Sequence, residues 1–303
     1  MNILVTSAGG PAAIGVIKSL RQFDTEKKHK IIATDITDLS VGLHLADDGY
    51  IVPKANKDYF TQAIAKIVKE AEIDVILPTG NLEIDQFQEL SHMTNIFMSD
   101  SKTIKLCNDK WDFYEKVKND FPIPETWQDD ELKWMGCFAR PRFELGGSRG
   151  TLHCKDIHQY MSTFNSKTEY VYSKYLPGQE YTIDILCDMK NPLVAVVRKR
   201  LQTKAGISTQ GEIIRDAHIE NLCMDMCKFL KLKGPICIQM KDDEDGVPHF
   251  VEVNPRFGGG TYFATLAGVN FVEIIINVLD KKEIIIDEPK EIKVIRYMEE
   301  LVL

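Results

Sequence analysis

Near the end of the chain, Phe250 to Gly260 (FVEVNPRFGGG) places hard oxygen ligands, a cation and a glycine run side by side. In an extended strand successive side chains alternate faces, so Glu252 and Asn254 point one way while Val251 and Val253 pack behind them. Upstream, ICIQM (Ile236 to Met240) and PHFVEVN (Pro248 to Asn254) flank KDDEDGV, whose Asp245-Gly246 pair is a hairpin signal. A two-residue turn there sets Gln239 directly opposite Glu252. Carboxylate and amide oxygens are what Mg²⁺ takes, leaving its other positions to water and substrate phosphates. Arg256 keeps the same parity and suits a phosphate or a developing negative charge. From spacing alone, a solvated strand face explains Glu252 and Asn254 equally well.

A second constellation lies at residues 137–150, CFARPRFELGGSRG. Arg140 and Arg142 share a strand face, and Gly146, Gly147 and Gly150 then enclose Ser148 and Arg149. Glycines let the backbone approach a phosphate and present its N–H groups, which makes this a phosphate lid, with a surface hairpin as the alternative. In LVAVVRKRLQTKAGIST, Arg198 and Arg200 share a face and Lys204 follows; pairing with surface acids is expected for one of the two arginines. Glu180, Thr182 and Asp184 share a face of an earlier strand. In the first hundred residues, Gly9 and Gly10 supply a tight turn and a helix N-terminus that accepts an anion or carboxylate. PTGNLEID ends a strand at Thr79 and Gly80 and puts Glu83 in a first helical turn, where helix-dipole stabilisation competes with a substrate role.

The elements that must hold these groups differ along the chain. Residues 1–98 alternate short apolar strands with helices at Pro11 to Arg21 and about Asp58 to Ala71, the pattern of a doubly wound parallel sheet that binds ligands at its strand carboxyl ends. SAGGPAAIG with Asp35 invites a dinucleotide reading, but the G-x-G-x-x-G spacing is missing. From Asp100 a helical stretch carries Asn108 or Asp109 as a cap, and FPIPETW, with Pro122 and Pro124, marks a boundary. Three units are expected: 1–98, 99–172 and 173–303.

The 303 residues allow two or three subdomains with real cores, and 44% hydrophobic with 27% charged residues is ordinary for a globular protein. A net charge of −8 argues against a nucleic-acid backbone as the main partner. Seven cysteines at irregular spacing fit a reducing compartment, and Cys223 and Cys227 lie on an apolar helix face with Leu222, Met226, Phe229 and Leu230. No run reaches the roughly 18 apolar residues of a membrane span, and the chain opens on a strand with no leader-like segment, so the cytoplasm is expected.

The strand pair ending in E-x-N-P-R, with Gln239 on the partner strand, resembles the metal-binding hairpin of the ATP-grasp superfamily. Its Gln/Glu/Asn set, together with R-P-x-x-x-L-G-G at Arg140, is most similar to the carbamoyl-phosphate synthase large chain. The resemblance implies an α/β chain, α+β in its later parts: an ATP-grasp fold behind a pre-ATP-grasp, Rossmann-like domain. It further implies that Gln239, Glu252 and Asn254 hold Mg²⁺, with Mn²⁺ as a substitute, and that Lys110, Arg140 and the Gly146, Gly147, Ser148, Arg149 loop meet the ATP phosphates. Lys174, Tyr175 and Leu176 would read the adenine edge and Glu180 the ribose, although Ser173 stands where the family usually has Glu. Arg198, Arg200 and Arg256 would serve the transferring phosphoryl group, with Gly9, Gly10, Thr79, Glu83 and Lys204 toward substrate. The implied activity joins a small-molecule carboxylate to an amine through an acyl phosphate, as in amino-acid or peptide ligases. Carbamoyl-phosphate or related kinase chemistry and a non-catalytic nucleotide-binding role are the alternatives. Neither nucleic acid nor membrane is expected as partner, and a homodimer is allowed.

Overall fold

The computed structural model describes residues 1–128, 136–143, 149–164 and 166–303. Five parallel strands, β1 (Asn2–Val5), β2 (Lys30–Asp35), β3 (Asp48–Ile51), β4 (Val75–Leu77) and β5 (Asn95–Ile96), form a first sheet in the order β3-β2-β1-β4-β5. Alternation decides its two faces. Ile3, Val5, Ile31, Val75 and Leu77 join the cluster that contains the helix Pro11–Phe23, whereas Leu4, Ile32 and Ile76 join the one under the helix Phe60–Glu70. Covering both faces is what lets all five strands run parallel. The order reverses between β1 and β4, which opens a crevice beyond their carboxyl ends.

The second sheet is antiparallel, with β6 (Thr126–Gln128), β7 (Cys137–Pro141), β8 (Leu152–Cys154) and β9 (Tyr170–Ser173) in the order β6-β9-β7-β8. Trp127, Tyr160, Tyr170 and Tyr172 fill its small core. The third sheet is also antiparallel: β10 (Glu180–Cys187), β11 (Pro192–Lys204), β12 (Ile207–Ile214), β13 (Gly234–Asp242), β14 (Pro248–Asn254) and β15 (Ile292–Ile295), in the order β14-β13-β10-β11-β12-β15. On one of its faces lies the helix Ala217–Leu230, whose Cys223, Met226 and Cys227 are buried; the two thiols are core, and burial holds that of Cys223 well above its usual range.

The first and third sheets are joined by packing. Phe257, Phe263, Phe271 and Val272 share one apolar cluster with Ile17 and Leu20 on one side and Leu186 and Val196 on the other. The helical stretch after Asp100 is two helices, Ser101–Asn108 and Lys110–Val117, because Asp109 leaves the helical conformation and accepts from the N–H groups of Trp111 and Asp112. Among the described residues, no helix is long and apolar enough to cross a membrane.

Candidate active site

The late hairpin sets Gln239 opposite Glu252, as the spacing predicts, but by another route. Asp243 N–H bonds Val247 O and Gly246 adopts φ +79°, so the loop has three residues, Glu244, Asp245 and Gly246. That geometry displaces the pairing by one residue. A shift between Gln239 and Met240, where Val251 is the extra residue, restores it. The bulge also frees Val251 O to accept from Arg140 Nη1 at 2.8 Å, tying the second sheet to the third.

Glu252 Oε1 accepts from Asn254 Nδ2 at 2.9 Å, and Asn254 Oδ1 receives Asn81 Nδ2 at 3.2 Å and Arg256 Nη2 at 3.3 Å. Gln239, Glu252 and Asn254 thus form one patch of hard oxygen donors, the type Mg²⁺ selects. The donor set fits the ion, with one adjustment. Asn254 turns its NH₂ toward Glu252, and a half-turn of the amide would bring its oxygen there at the cost of the bonds from Asn81 and Arg256.

Arg198 and Arg200 both hold acids, and neither is a surface pair. Arg198 is 2% exposed; its Nη2 reaches Asp184 Oδ2 at 3.2 Å, its Nη1 reaches Ser208 Oγ at 2.7 Å, and its guanidinium stacks over Phe263. Thr261 Oγ1 donates to the other oxygen of Asp184. The glycine run is what admits this group, since a Cβ at Gly260 would lie 2.3 Å from Arg198 Nη2. Arg200 Nη1 donates to Glu180 Oε1 and approaches Gln239 Oε1 at 3.5 Å, so the carboxylate expected at a ribose is engaged by an arginine here.

Arg140 and Arg142 diverge in role. Arg142 is taken up by Asp109, Asp112 and Glu169. Arg140 is buried, its desolvation holding the guanidinium below its ordinary pKa against the opposing charge of Glu252. The nitrogens Nε of Arg140, Arg198 and Arg200 are buried with no acceptor among the described residues. After β9, the N–H groups of Tyr175 and Leu176 make no protein hydrogen bond among the described residues, whereas Lys174 N–H is held by Glu125 O. Tyr175 stacks on His153 at 3.9 Å, and Lys174 Nζ reaches Glu244 at 2.9 Å.

From the first sheet, Thr79 Oγ1 donates to Thr6 O at 2.6 Å, and Glu83 immediately precedes a 3₁₀ helix, Ile84–Leu90, rather than lying within its first turn. Buried at 6% exposure, Glu83 accepts from Thr6 Oγ1 and Gly80 N–H, and desolvation pushes its pKa up to about 7. Asn81, which sequence reasoning passed over, bridges this loop to the hairpin by bonding Asn254 and Arg256.

These groups surround one cavity of about 1170 Å³. Of the residues to which the resemblance gives a site role, Gly146, Gly147 and Ser148 lie outside the described residues, and all the others except Gly9 and Lys204 line it; Arg142, Gly150 and Asp184 do not. Gly9 N–H is capped by the Asp35 carboxylate at 2.6 Å, which occupies the turn expected to accept an anion and argues further against a dinucleotide. Lys204 ends β11 at an exposed hairpin tip.

Residues 166–301 match the family described as "ATP-grasp in the biosynthetic pathway with Ter operon", and residues 3–98 match "PylC-like, N-terminal domain". The carbamoyl phosphate synthase large chain of Clostridium botulinum (strain Alaska E43 / Type E3) is 24% identical over 297 residues, covering 88% of this chain and 27% of the relative. The chain therefore spans about a quarter of the length of that relative. Among solved structures, an ADP complex of the N5-carboxyaminoimidazole ribonucleotide synthetase PurK superposes with a TM-score of 0.77 at 14% identity, covering 97% of this chain and 81% of that one. The biotin carboxylase domain of Hydrogenobacter thermophilus 2-oxoglutarate carboxylase, a dimer with MgADP and bicarbonate, gives 0.73 at 16% identity, covering 93% and 70%. An L-amino acid ligase from Bacillus licheniformis gives 0.70 at 14% identity, covering 92% and 74%. The chain thus carries a PylC-like N-terminal domain at residues 3–98 and an ATP-grasp domain at residues 166–301, on a fold shared with these structures.

Proposed function

We propose that the chain is an ATP- and Mg²⁺-dependent ligase that activates a carboxylate as an acyl phosphate and joins it to an amine. The observation that carries this reading is the row of guanidinium groups on the cleft wall, Arg140, Arg198, Arg200 and Arg256, beside the Gln239, Glu252 and Asn254 oxygens. A polyphosphate supplies acceptors in number, and charge-assisted bonds to it are strong. The MgADP and ADP complexes among its structural neighbours support a nucleotide there.

In this reading the backbone N–H groups of Tyr175 and Leu176 meet the adenine edge. Lys110, Arg140 and Arg149 lie along the phosphates, and Arg200 and Arg256 face the transferring group. Gln239, Glu252 and Asn254 hold Mg²⁺, which when bound neutralises phosphate charge and orients the transferring phosphoryl group. A substrate carboxylate oxygen bonds the γ-phosphorus as ADP leaves. The neutral amine nitrogen then bonds the acyl carbon, the C–O bond to phosphate breaks, and the proton lost by nitrogen leaves with inorganic phosphate. Phosphoryl transfer needs positioning and charge neutralisation more than a protein nucleophile, which accords with an arginine-rich wall. The L-amino acid ligase among the neighbours supports amine acylation over carbamoyl phosphate formation.

The test is a screen of pooled carboxylates and amines for ADP release, with mass identification of the product. ADP and an amide appearing together support the ligase. Binding of MgATP without turnover by any pool leaves a nucleotide-binding protein, and a thermal melt raised by NAD but not by MgATP removes the nucleotide site altogether.

A further inference from the structure

The cleft is divided by charge. Among the described residues lining it, those from 99–303 include eight lysines or arginines against two carboxylates, whereas those from 1–98 bring two carboxylates, Asp35 and Glu83, and one cation, the exposed Lys54. Glu83 is nine-tenths buried, and the strongest neighbouring charge acting on it, Asp35, has its own sign. Its bonds from Thr6, Ser7 and Gly80 orient the carboxylate without neutralising it. A buried carboxylate with no ion pair, as Glu83 has none among the described residues, is costly, and a ligand cation removes that cost. The same end of the cleft is apolar beyond the acids: Ile36 and Leu82 are 51% and 74% exposed at its mouth, with Val52 and Phe60 buried behind them. Asn81, between Gly80 and Leu82, bonds Arg256 and Asn254, so this end abuts the metal-binding face.

Resting on the ligase reading above, we infer that the first sheet's end of the cleft is the subsite of the amine to be acylated, and that it takes a primary ammonium group on an aliphatic body. Glu83 receives the ammonium and takes the proton its nitrogen must lose before attack, Asp35 adds negative potential, and Ile36 and Leu82 cover the aliphatic part. The opposite, cationic end is left to the phosphates and the carboxylate, so the two reactants are sorted by charge before they meet.

Matched small probes test this on the full chain with MgADP present: isopentylamine, isopentanol and 3-methylbutanoate share one aliphatic body and differ in charge. Titration followed by ligand NMR is expected to show the amine binding at least roughly tenfold more tightly than either other probe. Glu83→Gln should abolish that preference while MgADP affinity stays within about twofold, and Asp35→Asn should weaken the amine several-fold if the first variant does not fold. Equal binding of 3-methylbutanoate, no binding of any probe at saturating concentration, or a Glu83→Gln protein that keeps the preference would each overturn the assignment. Failure of MgADP to bind would instead sink the ligase reading, and the same titrations without nucleotide would still decide whether the amine is recognised.

Discussion

At the residue scale, two carboxylates in one cleft are proposed to have opposite tasks. Glu252 is the sole carboxylate of the proposed metal-binding set and is reachable from the cavity. Glu252→Gln keeps an oxygen for Asn254 Nδ2 but removes the charge opposing buried Arg140, so the fold should survive with its melting temperature lowered. Mg²⁺-dependent turnover should fall by roughly 100-fold or more. Near-normal turnover in a Mg²⁺ titration would move the metal elsewhere. Glu83 shows its character through pH. Its proton is held more tightly in the folded chain, up to about 7 from an ordinary 4.5, because burial disfavours the ion. The folded state therefore binds more protons than the unfolded one between those values, and stability falls as pH rises across that window. Glu83→Gln keeps the acceptor for Thr6 and Gly80 and removes the charge. Urea denaturation at pH 8 should find the variant more stable than the parent by on the order of 2–3 kcal/mol, with no gain near pH 4. An equal difference at both pH values would show that the carboxyl group does not titrate as described.

At the scale of elements, the hairpin separates what glycine does for a turn from what it does for a site. Gly246 adopts φ +79° with open space around its missing side chain, so Gly246→Ala should cost about 1 kcal/mol through backbone conformation alone and leave turnover unchanged. At Gly260 a Cβ meets the Arg198 guanidinium, which Asp184, Ser208 and Phe263 hold from other sides. Gly260→Ala should cost about 1–3 kcal/mol by overpacking and should also depress turnover, since the arginine must move toward the cleft. Urea midpoints and ADP release measured on both variants separate the two cases. The hairpin also shows how far sequence reasoning reaches. Alternation and the Asp-Gly signal suffice to place Gln239 against Glu252, yet the three-residue loop and the bulge at Val251 shift the register in opposite senses, and the correct pairing survives because they cancel. A turn type depends on backbone angles that no residue pattern states fully. Strand alternation likewise puts Arg198 and Arg200 on one face, but their acids, Asp184 and Glu180, become partners only when β10 and β11 pair.

On the scale of the whole molecule, the cleft is built where three sheets converge, and this is where the sequence is least informative. The order of motifs along the chain and the parallel first sheet are legible from periodicity and glycine placement. The contact between Asn81 and the hairpin is not, because it joins residues more than 170 positions apart through side chains that are each ordinary loop residues. Asn81 nevertheless couples the proposed amine subsite to the proposed chemistry. Its amide donates to Asn254 Oδ1, and its carbonyl oxygen accepts from Arg256 Nε. Asn81→Ala breaks both bonds without touching the second sheet or the segment after β9, where the nucleotide is proposed to bind. MgADP affinity should therefore stay within about twofold, and the stabilisation by saturating MgADP, about 2.7 kcal/mol at a hundred times Kd, should be retained. Turnover should respond differently. With Arg256 no longer held and the loop that carries Glu83 detached from the proposed metal-binding face, ADP release with both substrates should drop by roughly tenfold or more in kcat, with a smaller change in the KM for ATP. A loss confined to nucleotide affinity would place Asn81 at the wrong end of the cleft, and an unchanged kcat would mean that the first sheet does not position the acceptor.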